Sequence, residues 1–404
     1  MMFAAVFLLA FLGLPIVAER HARSAFVGID DNDLVLRPPA NGSVEIDGVV
    51  FRSLVEAVET LKLQVGTLTQ QLDERLFGSN CRVTIDMSLT NPGFSGCCRW
   101  NGGVLANNGK VYGIPHTAPS VLVIDPTAST ADTTSISGLG GNLYKWSGGV
   151  LAGNGKIYGV PQHSSSVLII DPATNTVDTT TITGLIGEFK WNGGVLANNS
   201  KIYCIPATSS SVLVIDPDTN TADATSITGI ERTSLTKWAG GALAPNGKIY
   251  GVPLHASSAL IIDPATNTVD TSSITGLNGA DKWIGGVLAA NGKIYGIPHS
   301  SESVLIIDPA TNTADVTSIT GLSGGSKWFG GALSRSGKIY GICATAHAVL
   351  VIDPTSNTAD TIPTGVPGTV GLWNGGVLAN DRIYSMPSNA ASVLVIKRVC
   401  DFKL

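Results

Sequence analysis

A tryptophan preceded by a basic residue is the pairing in this chain best suited to bind a ligand. The chain has seven tryptophans, and six of them follow a lysine or an arginine. An aromatic face beside a cation can stack a sugar or hold an anionic group, above all where several pairs surround a channel. The structural alternative is that each tryptophan packs as a wedge between sheets while its cation is solvated. The candidate ligand-binding residues are Trp100, Lys145, Trp146, Lys190, Trp191, Lys237, Trp238, Lys282, Trp283, Lys327, Trp328 and Trp373.

Histidines and aspartates also recur, and both could in principle bind metals. The loop histidines occur at shifting positions, and this scatter does not predict converging metal ligands. Each of six Asp-Pro pairs is followed seven residues later by another aspartate. Calcium uses such carboxylates, but Asx turns explain the repeated pairs more simply, so we predict neither a metal nor a cofactor. The residues concerned are His116, His163, His255, His299 and His347, and Asp125, Asp171, Asp216, Asp263, Asp308 and Asp353.

Motifs of known catalytic chemistry are not convincing here. Gly103 to Lys110 resembles a phosphate-binding loop, but its spacing is wrong and Val111 follows where serine or threonine is needed. Gly321 to Gly325 spells Gly-x-Ser-x-Gly without the strand and helix that a nucleophile elbow requires. None of the departures from the repeat supplies a nucleophile with its base. Enzymatic activity is therefore undecided, and a non-catalytic role is favoured. The departures are Cys204, Cys343, Glu231-Arg232 and Ser385-Met386.

Four of the six cysteines lie near the ends of the repeats. In an oxidising compartment, Cys400 is predicted to form a disulfide with Cys81, Cys97 or Cys98. The other two cysteines replace repeat residues, so they are predicted to be isolated and buried.

The spacing of all these residues comes from an internal repeat. Successive tryptophans are 46, 45, 47, 45, 45 and 45 residues apart, a length typical of a four-stranded propeller blade. In the fifth unit, strands are predicted at Gly285–Ala289, Lys293–Pro298 and Ser303–Asp308, with an Asn-Gly hairpin turn at Asn291. A fourth strand rich in threonine and serine is predicted at the outer edge. Paired glycines suit the crowded axis where blades converge.

Ring closure follows from the two ends of the repeats. The seventh unit, which begins at Trp373, stops before a fourth strand, whereas Arg82–Met87 precedes the first tryptophan. Sharing one blade between these ends leaves no free sheet edge. Residues 81–404 are thus predicted to form an all-β, seven-bladed β-propeller of four-stranded blades.

The repeat resembles the YVTN-type propeller repeat, a kelch-like seven-bladed family. The similarity covers roughly residues 81–397 and rests on Asn-Gly-Lys-Ile-Tyr followed by Ser-Val-Leu-Ile-Ile-Asp-Pro-Ala-Thr-Asn-Thr. The sequence departs where that family has Val-Thr-Asn after the tyrosine, because Gly296-Ile297-Pro298 stands there. The resemblance implies the architecture and little about a ligand, since such propellers share no common catalytic set.

The sequence of the amino-terminal region predicts export and a structure that differs from the repeats. Residues 1–18 form an apolar run typical of a signal peptide, with an uncleaved anchor as the alternative. Residues 19–46 are predicted to be an extended lead-in. Residues 47–78 show heptad spacing, which predicts either an amphipathic helix lying on the propeller or a short coiled coil that forms a homo-oligomer. Glycosylation sequons occur at Asn41 and Asn198.

Composition narrows the possible functions. A net charge of −5 gives no electrostatic basis for binding nucleic acid. We therefore expect a secreted or cell-surface binding module with a glycan or protein ligand on the Trp/Lys face. The alternatives are a propeller enzyme, a lyase or hydrolase, that uses the central channel, and a structural coat or matrix protein.

Overall fold

A computed structural model describes residues 26–30, 33–37, 44–46, 49–51, 81–91, 93–366 and 371–400. The chain divides into two compact units, residues 1–73 and 74–404. Every regular element in the described part is a β-strand. No helix among the described residues is long and apolar enough to cross a membrane.

The described residues of the first unit form two short antiparallel hairpins. They are β1 (Phe26–Asp30) with β2 (Asp33–Arg37), and β3 (Val44–Ile46) with β4 (Val49–Phe51). The β3–β4 pair corrects the prediction that a helix begins at residue 47. Asp47-Gly48 is a strong hairpin signal, and Val49-Val50-Phe51 consists of β-branched and aromatic residues that favour a strand. The remainder of the predicted helix, residues 52–80, lies outside the described residues, as do the predicted signal peptide and Asn41.

The second unit confirms the seven-bladed propeller, with four antiparallel strands in each blade. Its first strand is β5 (Cys81–Asp86). Blades 1 to 3 contain β6 (Trp100–Leu105), β7 (Val111–Pro115), β8 (Leu122–Asp125), β9 (Thr130–Asp132), β10 (Trp146–Leu151), β11 (Ile157–Pro161), β12 (Leu168–Asp171), β13 (Thr176–Asp178), β14 (Trp191–Leu196), β15 (Ile202–Pro206), β16 (Leu213–Asp216) and β17 (Thr221–Asp223). Blades 4 to 7 contain β18 (Trp238–Leu243), β19 (Ile249–Pro253), β20 (Leu260–Asp263), β21 (Thr268–Asp270), β22 (Trp283–Leu288), β23 (Ile294–Pro298), β24 (Leu305–Asp308), β25 (Thr313–Asp315), β26 (Trp328–Leu333), β27 (Ile339–Cys343), β28 (Ala348–Asp353), β29 (Thr358–Pro363), β30 (Trp373–Ala379), β31 (Arg382–Pro387) and β32 (Leu394–Cys400).

Closure of the ring occurs in the seventh blade, whose strand order is β30-β31-β32-β5. The amino-terminal β5 pairs antiparallel with the carboxy-terminal β32, from Asp86 opposite Val395 to Cys81 opposite Cys400. This arrangement confirms that the two ends share one blade. Every blade therefore has its full set of strands, and no edge is left within the ring.

Innermost strands meet at a ring of glycines around the axis. In each blade the first glycine of the Gly-Gly pair has a positive φ, between 63° and 81°. A Cβ added at Gly285 would lie 2.9 Å from the Cα of Gly330, and one added at Gly375 would lie 3.1 Å from the Cα of Gly102. Only glycine fits both the conformation and the space, which explains the repeated pair.

The hydrophobic core lies between adjacent blades. Between blades 2 and 3, for example, Val150 and Tyr158 pack with Trp191 and Ile202. The Tyr158 hydroxyl also donates to Asn220 Oδ1 of the next blade at 2.8 Å. Each sheet thus buries a face that it could not bury alone.

We call the side of the ring that carries the loops within each blade between its second and third strands, together with the loops between blades, the upper face. The opposite side, with the turns between strands one and two and between strands three and four, is the lower face.

Candidate functional site

The predicted tryptophans lie inside the ring. None of the seven is more than 4% exposed. Each indole N–H donates to a main-chain carbonyl of its own blade, as Trp191 Nε1 does to Ser211 O at 2.9 Å. These side chains are wedges between blades and present no exposed stacking surface.

Lysines beside the tryptophans are buried as well. Lys190 is 4% exposed, and its Nζ donates to the carbonyls of Gln162, Ser164 and Gly187 at 3.0, 3.0 and 2.7 Å. Burial lowers the pKa of Lys190 to about 8. The ammonium also lies 5.8 Å from the centre of the Trp191 ring. Because the three Nζ protons are already donated to backbone, this cation has none left for a ligand. Lys145, Lys237, Lys282 and Lys327 are buried in the same way.

Residues immediately after the tryptophans differ from blade to blade, although the surrounding repeat is uniform. In blades 7, 1, 2 and 3 they are polar, and Ser147 lies between Asn101 and Asn192 at hydrogen-bond distances of 3.1 and 3.0 Å. In blades 4 to 6 they are apolar, and Ala239 and Ile284 belong to one hydrophobic cluster with Phe329 packed against it. The inner wall of the ring is therefore polar on one side and apolar on the other. The sequence signal was the variable residue after each tryptophan, which is polar in some blades and apolar in others, and our sequence analysis missed it.

An aromatic cluster occupies the upper face of blades 1 to 3. The Tyr144 ring lies 4.9 Å from His116, 5.4 Å from His163 and 5.8 Å from Phe189, and His163 lies 4.2 Å from Phe189. Burial lowers the pKa of both His116 and His163, so both rings are neutral at neutral pH. Within the described residues, Nε2 of His163 is buried without a hydrogen-bond partner.

Large apolar side chains stand exposed around this cluster. Leu143 is 61% exposed, Ile186 is 90% exposed and Phe189 is 39% exposed. They lie in the loops that enter blades 2 and 3, one or a few residues before the buried lysine. We call Leu143, Tyr144, His163, Ile186 and Phe189 the aromatic patch.

The upper face of blade 4 carries a cavity of about 460 Å³. Its wall includes the loop that contains the Glu231-Arg232 insertion, together with His255. His255 Nδ1 contacts the Thr236 carbonyl at 2.8 Å, and Nε2 contacts Asp281 Oδ1 at 3.2 Å. Both ring nitrogens of His255 therefore lie within hydrogen-bond distance of an oxygen atom.

The other loop histidines that were considered as metal ligands do not lie close together. His299 Nδ1 contacts the Asp281 carbonyl at 3.2 Å, and His347 Nδ1 contacts the Val366 carbonyl at 3.2 Å in another blade. In the part of the chain that the structure describes, no group of three histidine, cysteine or acidic side chains could hold a metal ion.

On the lower face, the Asp-Pro residues form the predicted Asx turns. Asp125 Oδ1 accepts from the backbone N–H groups of Thr127 and Ala128, both at 2.9 Å. In blades 1 to 5 the second aspartate, at the end of the fourth strand, acts similarly. The hydroxyl of Thr181 is the main cause that lowers the pKa of Asp178 to about 2. These carboxylates stabilise their own turns, as the spacing predicted. Asn198 lies exposed in a turn on this face, where a glycan would find room, and glycosylation there stays a prediction.

Cysteines fall into three groups. Cys204 and Cys343 are buried, as predicted. Cys97 and Cys98 lie at the upper face beside blade 1, as free thiols. Cys400 is the register partner of Cys81 across the closing strands.

Comparisons with known proteins agree with the fold. Residues 194–365 match a family model described as a repeat of unknown function, DUF6923. No curated protein matches the chain. Among solved structures, a catalytically inactive histidine-to-alanine variant of virginiamycin B lyase from Staphylococcus aureus, with quinupristin, superposes with a TM-score of 0.64 at 9% identity, over 79% of this chain and 100% of that one. Hydrazine synthase of Kuenenia stuttgartiensis gives 0.57 at 15% identity, over 76% and 97%.

A third similar structure is the extracellular domain of a protein described as a putative hybrid two-component system of B. thetaiotaomicron. It gives a TM-score of 0.58 at 11% identity, over 78% of this chain and 42% of that one. Similarity at these identities shows the propeller fold alone.

Proposed function

We propose that this chain is a secreted or cell-surface binding module whose ligand is a protein that docks on the aromatic patch. The observation that carries the proposal is the exposure of Leu143, Ile186 and Phe189 at a cluster of packed aromatic rings. Exposed apolar side chains grouped on neighbouring loops are typical of protein-binding surfaces. The propellers that it resembles include an extracellular domain, which is consistent with a ligand outside the cell.

A protein ligand is favoured over a glycan by the chemistry of the patch. Leucine and isoleucine offer no hydrogen bonds to sugar hydroxyls, and 90% exposure of Ile186 leaves this side chain in water unless a partner covers it. The Tyr144 and Phe189 rings, 5.8 Å apart, pack partly against each other. The patch is thus an apolar rim on a rigid base, an arrangement suited to a few anchoring contacts.

The test begins with arrays of extracellular proteins and of glycans, both probed with the purified chain. For each captured protein, affinity is then measured for the wild type and for Leu143→Ser, Ile186→Ser and Phe189→Ser. We expect each substitution to weaken binding about tenfold or more. Leu105→Ser is the matched control, because Leu105 is 36% exposed and lies at the lower end of β6. Capture of glycans alone, or self-assembly without any ligand, would contradict a protein-binding role.

A second candidate function is that of a propeller enzyme, a lyase or hydrolase. It is supported by His255, which lines the cavity of blade 4 and contacts Asp281, since a histidine oriented by a carboxylate is a typical general acid or base. One of the similar propellers is a lyase. The test is a panel of ester, lactone and glycoside substrates offered to the wild type and to His255→Gln. We expect His255→Gln to abolish turnover and the control His347→Gln to retain it. Turnover that persists in His255→Gln would exclude the His255–Asp281 pair as the catalytic group.

Three further proposals concern the repeat family, secretion and assembly of the chain. We propose that the repeats are YVTN-type, that residues 1–18 direct secretion, and that residues 52–78 contribute a helix that forms a homo-oligomer. The mass of the secreted protein in solution and its amino-terminal sequence test the last two. A monomer that retains residues 1–18 would contradict both.

A further inference from the structure

Cys97 and Cys98 lie on the upper face, in a turn that can be compared with the equivalent turn of the next blade. They directly precede Arg99, the basic residue of blade 1. The equivalent residues of blade 2 are Leu143 and Tyr144. Cys97 is exposed and Cys98 is half-buried, and both are free thiols. Cys98 has a φ of 54°, close to the 55° of Tyr144 in the next blade. The repeat therefore sets the backbone of this turn, and the two sulfur atoms are the feature peculiar to it.

The turn is fastened on both sides of the seam between blades 7 and 1. The Cys98 N–H donates to Asn389 Oδ1 at 2.8 Å, and the Thr117 hydroxyl donates to the Cys97 carbonyl at 2.6 Å. His116 Nδ1 lies 3.1 Å from the Cys98 carbonyl. Both thiols thus sit on a rigid support and not on a free loop.

The two thiols belong to adjacent residues. Burial raises the pKa of Cys98, and the hydrogen bond with Cys97 raises it further. Burial lowers the pKa of Arg99 and the nearby Cys97 raises it, so this buried guanidinium lies beside Cys97. Cys97 is therefore the accessible sulfur beside a cation, and Cys98 lies behind it.

The remaining described cysteines are poorly placed to react with this pair. Burial raises the pKa of Cys343 to about 12 and that of Cys204 still higher, so neither supplies a thiolate. Cys400 lies opposite Cys81 in the closing strands. Adjacent antiparallel strands hold paired Cα atoms about 4.5 to 5.5 Å apart, within the range of a disulfide. Cys81 is thus the natural partner of Cys400.

We propose that Cys97 and Cys98 are a redox-modified pair that a low-molecular-weight disulfide closes into a disulfide between adjacent residues. The Cys97 thiolate attacks one sulfur of glutathione disulfide and releases one glutathione thiolate. Cys98 then attacks the Cys97 sulfur and displaces the second glutathione. The pair loses two electrons and two protons, and the two released thiols take them up.

The experiment uses the full-length chain, first reduced and then exposed to glutathione disulfide. Free thiols are trapped by alkylation after unfolding, and the peptides are identified by mass. We expect the peptide that contains residues 97 and 98 to have lost two hydrogens and to carry no alkyl group, while Cys204 and Cys343 are alkylated. A stable glutathione adduct on Cys97, a bond from either residue to Cys400, or unreacted thiols would overturn the proposal.

Two variants separate the steps. Cys98→Ser should stop at the glutathione adduct on Cys97, because the second attack has no nucleophile. Cys97→Ser should react about tenfold more slowly, since its remaining thiol is half-buried and burial raises the pKa of Cys98. Equal reaction rates of the two variants would contradict the assigned order. This result is independent of the proposed protein ligand, because the reaction needs none.

Discussion

Lys397 Nζ lies 2.9 Å from Asp86 Oδ2, and this ion pair joins two residues that are 311 positions apart in the sequence. Lys397 belongs to β32 and Asp86 to β5, so the pair bridges the two strands that close the ring. The hydrogen bond from Lys397 is the main cause that holds the pKa of Asp86 well below its usual value of 3.8, with Ser88 adding to it.

The first prediction concerns this pair and pH. A carboxylate with a lowered pKa in the folded state stabilises the protein above its unfolded pKa, and that stability is lost as the pH falls. We expect Asp86→Asn to reduce the free energy of unfolding by about 1 kcal/mol at neutral pH. The deficit should shrink between about pH 5 and about pH 2.

Urea unfolding across this pH range measures the effect. Lys397→Met and the double variant provide the control, since removal of the second partner should add little once the first is gone. A deficit that does not change with pH would show that the substitution acts by another route.

The second prediction concerns the disulfide between Cys81 and Cys400. We expect non-reducing peptide maps of the oxidised protein to show this bond, because the register places the two residues opposite each other. A bridge that spans nearly the whole ring constrains the unfolded chain, so its reduction should cost about 2 to 5 kcal/mol.

Thermal unfolding with and without reductant measures this cost, and Cys81→Ser, which lacks the bridge, should show no further change on reduction. A bond from Cys400 to Cys97 or Cys98, the alternatives left open by the sequence, would contradict the pairing.

The third prediction uses two glycines of blade 5 with similar backbones. Gly285 and Gly292 have φ values of 81° and 77°, so alanine is strained at both. At Gly292 an added Cβ meets nothing within 4 Å, whereas at Gly285 it lies 2.9 Å from the Gly330 Cα. We expect Gly292→Ala to cost about 1 kcal/mol. Gly285→Ala should cost about 2 kcal/mol more, because neighbouring backbone must move.

Chemical denaturation of both variants tests this comparison. Equal losses would mean that the axis of the ring can relax, and that the glycine pair is kept for conformation alone.

The sequence predicted the ring because its signals are local and repeated. The Asn-Gly turns, the Asp-Pro turns and the apolar third strands each describe one blade, and seven copies stack in a single way. The site was harder, because burial depends on neighbours. The Lys190-Trp191 pair reads equally well as a ligand platform or as a wedge until the carbonyls of the preceding blade are in place. Nothing in the spacing indicated that Tyr144, His163 and Phe189 would meet.

The fourth prediction separates these two interpretations of the Lys-Trp pairs. Lys190→Met keeps the apolar stem but removes the ammonium donor, so the partly buried carbonyls of Ser164 and Gly187 lose this hydrogen bond, whereas the Gln162 carbonyl still accepts the Lys190 N–H. We expect the free energy of unfolding to fall by about 1 to 3 kcal/mol. Lys201→Met is the control: Lys201 pairs with Asp216 at 3.0 Å on the exposed lower face. Its loss should leave the free energy of unfolding almost unchanged, because the pair is exposed to solvent.

Affinity for a protein captured on the arrays shows whether the Lys-Trp pairs or the aromatic patch bind the ligand. Because Lys190 is 4% exposed and its donors are occupied, we expect folded Lys190→Met to bind with unchanged affinity, while Phe189→Ser, altered at the adjacent residue, loses binding. If folded Lys190→Met no longer bound the protein, the binding site would lie at the Trp/Lys positions, and the proposed role of the aromatic patch would be wrong.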